Sequence, residues 1–75
     1  MLDTIPAARR VRPLTRALTE ARMAGIPQYA IAEEAGISSA LLSLIATGQA
    51  PATERSANAI ARALGRSARE LFPEL

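Results

Sequence analysis

The 75 residues include no histidine and no cysteine. The usual general base, the commonest metal ligand and the thiolate nucleophile are therefore missing. No cluster of carboxylates and no glycine-rich phosphate loop replaces them, so no enzyme, cofactor, metal or small-molecule substrate is expected. What remains is anion contact and hydrogen bonding. Every basic residue is arginine, whose planar fork suits phosphate better than lysine does, although a coding bias toward Arg and Ala gives the same pattern. The net charge is only +2, so charge alone names no partner. Its distribution is uneven: residues 1–25 carry Arg9, Arg10, Arg12, Arg16 and Arg22 against Asp3 and Glu20, whereas residues 26–50 carry only Glu33 and Glu34. Arg9, Arg10 and Arg12 make a basic arm able to lie along phosphates or enter a minor groove. A solvated arm is the plainer alternative.

The elements that position such groups are short helices. Half the residues are apolar, yet many are Ala, with one Tyr, one Phe and no Trp. That composition suits close-packed helices, and the lack of alternating β-branched runs points the same way. The length fits one small domain, near the size at which a single core suffices. No apolar leader segment and no membrane-length run occurs, and the basic arm lacks the apolar face of an interfacial helix. A cytoplasmic protein with no membrane partner is expected.

Along the chain, residues 1–12 read as a flexible arm and residues 13–75 as the folded domain. Pro13 opens a first helix whose stripe is Leu14, Ala17, Leu18, Ala21 and Ala24, ending at Gly25. A second helix spans residues 28–35 and a third spans residues 39–46. Thr53 caps a fourth, which buries Ala57, Ile60, Ala61 and Leu64 and stops at Gly65. Ser67 and Glu70 form a capping box, each side chain meeting the other's amide, for a last short helix through Leu71 and Phe72. Five helices result, with no internal repeat.

Residues 28–47 carry the strongest pattern. Ile31, Ala32 and Ala35 give one buried stripe, Gly36 supplies a left-handed turn, Ile37 plugs the corner, and Ser38 caps the next helix. Leu42 and Ile45 bury that helix, and Ala32 is small enough for two helices crossing near a right angle. This is the shape of a helix-turn-helix, whose second helix enters the DNA major groove. With Gly48, Pro51, the Ala63-Leu64-Gly65 run and Leu71-Phe72, it resembles the phage repressor and Cro family over roughly residues 14–72. The resemblance implies an all-α, compact five-helix bundle with a central helix-turn-helix, the lambda repressor-like DNA-binding fold. Members often pair an Arg in the first helix with a Glu in the third. Ala21 and Ala46 stand at those places, which a packed contact between the helices permits.

The resemblance also implies a site. With Ile37, Leu42 and Ile45 inward, the third helix shows Ser38, Ser39, Ala40, Leu41, Ser43, Leu44 and Thr47. By position, Ser38, Ser39, Ala40, Ser43 and Leu44 are the candidates for base edges. No Arg, Lys, Asn or Gln stands among them, so bidentate readout of guanine or adenine is absent, and specificity leans on methyl contacts, water and DNA shape. Gln28, Tyr29, Thr47, Gln49 and Arg55, with the arginines of the arm, are the candidates for the DNA backbone. Tyr29 can instead pack its ring on the first helix. The expected partner is a double-stranded operator bound by a homodimer through Leu71, Phe72 and Leu75, although these can instead close the monomer's core. The implied function is a sequence-specific transcriptional regulator of Cro-like repressor type. The alternative is a protein-interaction module or antitoxin using Leu41 and Leu44.

Overall fold

The computed structural model describes residues 12–73 and residue 75. Among them are five helices and no strand: α1 (Pro13–Met23), α2 (Gln28–Ala35), α3 (Ser39–Thr47), α4 (Glu54–Leu64) and α5 (Ala68–Leu71). The bundle is all-α with α2 and α3 as its helix-turn-helix, as expected.

Local chemistry sets the ends. Pro13 takes the first helical position of α1, where its missing N–H costs no bond, and Arg12 precedes it in extended conformation. α1 ends two residues earlier than the stripe implied. The Ile26 amide reaches back to the Ala21 carbonyl at 2.8 Å, leaving Ala24 outside the helix and exposed. At the other end, α3 gains Thr47, whose hydroxyl donates back to the Ser43 carbonyl at 3.1 Å.

The capping box also moves. Ser67 accepts the Glu70 amide as expected, but the Glu70 carboxylate is held by Arg66 at 2.9 Å. A box forms instead at the start of α4. There the Ser56 amide donates to Thr53 Oγ1 at 3.1 Å, and the Thr53 amide donates to Ser56 Oγ at 2.9 Å. Serine at the third helical position does the work expected of Glu or Gln.

The core takes Leu14, Ala17 and Leu18 from α1, Ile31 and Ala32 from α2, and Leu42, Ile45 and Ala46 from α3. Ala57, Ile60 and Ala61 of α4 face them, and Leu71 and Phe72 close the end. Leu64, expected to be buried, is half-buried beside this core. No polar or charged side chain is buried among the described residues. Alanine at the crossing points lets helices approach closely, which offsets the shortage of large side chains.

The fold also exposes a repeat missed in the sequence. Residues 31–42 (IAEEAGISSALL) and 60–71 (IARALGRSAREL) share Ile, Ala, Gly, Ser and Leu at the same offsets. The shared Ile, Ala and Leu are all buried: Ile31 with Ile60, Ala32 with Ala61, and Leu42 with Leu71. α2 packs against α4, so two helix–corner–helix units lie together in one core.

Candidate nucleic-acid interface

The corner between α2 and α3 is rigidly specified. Gly36 sits in the left-handed region at φ 77°, ψ 26°, where only glycine is at ease. The Gly36 amide donates to the Glu33 carbonyl at 3.1 Å and the Ile37 amide to the Ala32 carbonyl at 3.0 Å, closing a Schellman end. Ile37 leans half-buried on the core, and Ser38 Oγ accepts the Leu41 amide at 3.0 Å. The two helices are thereby bent by 103°. No single described helix is long and apolar enough to cross a membrane.

Anchored by Leu42, Ile45 and Ala46, α3 turns its other side outward. Ser38, Ser39, Ala40, Ser43 and Leu44, the five base-edge candidates, are all exposed, as are Leu41 and Thr47 beside them. α3 carries no charged residue, so nothing on it repels a phosphate-lined groove.

Two contacts tie this helix to its neighbours, and neither was legible in the sequence. Gln28 Nε2 donates to Ser43 Oγ at 2.7 Å, joining a backbone candidate to a base candidate. Thr15 donates its hydroxyl to the Ala46 carbonyl at 3.2 Å, joining α1 to α3. Ala46 is buried there and Ala21 half-buried. A Thr one turn into α1 gives no signal of such a role, because helical Thr usually bonds its own helix.

The remaining candidates fall into groups. Tyr29 is 67% exposed, so its ring is in solvent rather than packed on α1. Gln49 is exposed in the loop after α3, where its amide closes on the Leu44 carbonyl at 2.9 Å. Gly48 is left-handed at φ 84°, and a Cβ there would collide with the Arg12 guanidinium. Arg12 therefore lies over the C-terminal end of the recognition helix, where the helix dipole favours a cation. Arg55 is exposed on the first turn of α4, with the loop from Gly48 to Thr53 between it and α3. Arg9 and Arg10 lie outside the described residues.

The three residues expected to carry self-association divide between core and surface. Leu71 and Phe72 are 2% and 4% exposed, because the short α5 folds them onto the monomer's core. Leu75 alone of the three is outward, at 65%. Beside that end of the chain, Arg66 bridges Glu70 and Glu20. The hydrogen bond that Arg66 donates to Glu70, then the one it donates to Glu20, raises its pKa above an already high value.

Residues 18–71, most of the chain, match the family model for the helix-turn-helix. No curated protein and no solved structure matches the chain. The matched span contains α2, α3, the corner between them, α4 and α5. The chain belongs to the helix-turn-helix family, as a DNA-binding domain of the Cro and XRE type.

Proposed function

We propose that this protein is a sequence-specific transcriptional regulator, most like a small phage or prophage repressor of Cro type, that occupies a double-stranded operator. The observation that carries the reading is α3, held by a 103° corner with every base-edge candidate outward. Ser38, Ser39, Ala40, Ser43 and Leu44 meet base edges in the major groove. Gln28, Tyr29, Thr47 and Gln49 flank them toward the phosphates, with Arg12 at the end of α3 and Arg55 farther out, and Arg9 and Arg10 of the arm add phosphate contacts. One such helix makes few contacts, so the protein binds as a two-fold dimer to half-sites about 34–36 Å apart. Leu75 and the exposed side of α4 carry the self-association. It works where bacterial DNA is held, in the cytoplasm or nucleoid.

A second reading, an interaction module or antitoxin on the same fold, is favoured by one observation. Leu41 and Leu44 are 37% and 41% exposed on the outward face of α3.

Fluorescence anisotropy with the DNA flanking the protein's own coding region, against non-specific competitor and at several salt concentrations, tests the proposal. Tight, competitor-resistant binding is expected. Changing Arg9, Arg10 and Arg12 to Ala should flatten the salt dependence by up to about three phosphate contacts, a slope change of ~0.9 each. Binding no better than competitor at every salt concentration would favour the interaction module.

A further inference from the structure

Hydroxyls are the only polar side chains on the outward face of α3: Ser38, Ser39, Ser43 and Thr47. Ser38 Oγ already accepts the Leu41 amide, and Ser43 Oγ accepts from Gln28 Nε2. Thr47 Oγ1 donates to the carbonyls of Ser43 and Leu44 at 3.1 and 3.2 Å. Ser38 and Ser43 keep their O–H donors and Thr47 keeps its acceptor sites, one group of each kind per side chain. Distinguishing base pairs by hydrogen bonds works best with two groups on one edge, and no amide, guanidinium or carboxylate stands on α3 to supply them.

What the helix does present is alkyl. Leu44 lies one turn beyond both Ala40 (i,i+4) and Leu41 (i,i+3) and so joins them into one patch on the helix surface. Leu41 and Leu44 stay 37% and 41% exposed while Leu42 and Ile45, their chain neighbours, fill the core. The one apolar group in the major groove is the methyl on C5 of thymine. Cytosine methylated at C5 carries a methyl at the same place.

We infer that this strip reads C5-methyl groups, so that operator choice depends on where thymine methyls stand rather than on hydrogen bonds to base edges. The inference rests on the DNA-binding reading above and refines it. Charge decides between a DNA groove and an apolar protein groove as occupant. The strip runs toward the C-terminal end of α3, where the Arg12 guanidinium lies over Gly48, and α3 itself carries no acid. A cation one turn beyond Leu44, on a helix without acids, matches a methyl-bearing groove walled by phosphates.

The test uses the full chain and a duplex selected from a random pool by rounds of binding. That duplex is made with thymine, with deoxyuridine at each thymine of the half-sites in turn, and with deoxyuridine only in the flanks. Deoxyuridine keeps every hydrogen bond and lacks only the methyl. Affinity should fall about fourfold at each contacted methyl, equivalent to ~0.8 kcal/mol, and stay unchanged for the flanks. At a half-site cytosine beside the strip, 5-methylcytosine should alter affinity in proportion to its likeness to thymine.

In a Leu41→Ala, Leu44→Ala variant, the thymine-to-deoxyuridine ratio should collapse toward one with the salt dependence unchanged. Both residues are exposed, and circular dichroism verifies that the variant folds. Equal affinity for thymine and deoxyuridine duplexes, with competitor-resistant binding intact, would overturn the inference while leaving the regulator standing. A selection that returns no preferred duplex would overturn both. Loss of a protein partner from the variant, with the deoxyuridine ratio unchanged, would reassign the strip to the interaction reading.

Discussion

The corner between α2 and α3 and the corner between α4 and α5 are built alike. Gly36 and Gly65 take nearly the same left-handed backbone, φ 77°, ψ 26° and φ 69°, ψ 31°. The next amide reaches back five residues in each case, from Ile37 to Ala32 at 3.0 Å and from Arg66 to Ala61 at 2.9 Å. A serine then caps the following helix through its third amide, Ser38 to Leu41 and Ser67 to Glu70. Six residues after each glycine a leucine enters the core, Leu42 at 0% exposure and Leu71 at 2%. The difference begins at the residue after glycine. Ile37 leans on the core, whereas Arg66 stays outside between Glu20 and Glu70. It widens in the helix that follows, because α3 has nine residues with one side open and α5 has four that lead into buried Phe72. Turn chemistry is therefore a general means of folding the chain back, and it does not mark the functional corner. The surface of the next helix does.

The strongest way to break this comparison is at the leucines. Leu42→Ala and Leu71→Ala should each lower stability by ~2–5 kcal/mol, read from urea unfolding followed by circular dichroism. A domain of this size starts with little more than that, so both variants should be largely unfolded at moderate temperature. If Leu71→Ala costs much less than Leu42→Ala, then α5 is an appendage to the core and the two units are not equivalent.

The glycines sharpen it next. A Cβ at Gly36 or Gly65 meets nothing within 4 Å, so alanine there costs only the left-handed backbone, ~1–2 kcal/mol at each site. Gly48→Ala should cost about the same, because the Arg12 guanidinium in its way is the free end of a flexible, exposed side chain that can swing aside. The same variant should weaken DNA binding beyond its loss of folded protein, whereas Gly36→Ala and Gly65→Ala should weaken it only through the folded fraction. Thermal melts beside anisotropy titrations separate the two effects. Unequal costs at Gly36 and Gly65 would mean that Ile37 or Arg66, rather than the glycine, sets the corner.

How much could be read beforehand follows from the range of each interaction. The five helices, the Gly36 turn, the Ser38 cap and the inward placing of Leu42 and Ile45 depend on neighbours within a turn or two, and the spacing records them. Leu71 and Phe72 were ambiguous because an apolar end of chain looks the same whether it meets its own core or a partner. The Glu70 half of the capping box failed because Arg66, four residues earlier, takes the Glu70 carboxylate. That competitor is local, while the second acid on Arg66, Glu20, lies 46 residues away in sequence. The Gln28–Ser43 and Thr15–Ala46 bonds, also long in sequence, leave no periodic trace. The repeat at residues 31–42 and 60–71 was hidden because, outside the buried Ile, Ala and Leu and the glycine and serine of the corner, its positions all differ.

The serines carry the smallest expected effect on stability and the sharpest separation of roles. Ser38→Ala and Ser67→Ala each remove one cap bond, to the amides of Leu41 and Glu70, at 3.0 and 3.1 Å. Each should cost about 1 kcal/mol, since both leave a helix amide to water at an exposed end. The melts should therefore shift alike. Operator binding should not, because Ser38 opens the helix that meets the groove and Ser67 opens one that closes the core. Only Ser38→Ala should lower affinity after correction for folding. Ser38→Asp, which restores the cap through a carboxylate, should recover the melt while losing affinity further, because it sets a negative charge against the phosphates. If Ser38→Ala and Ser67→Ala bind the operator equally well, the N-terminal end of α3 is not at the DNA, and the two corners differ only in the length of the helix that follows them.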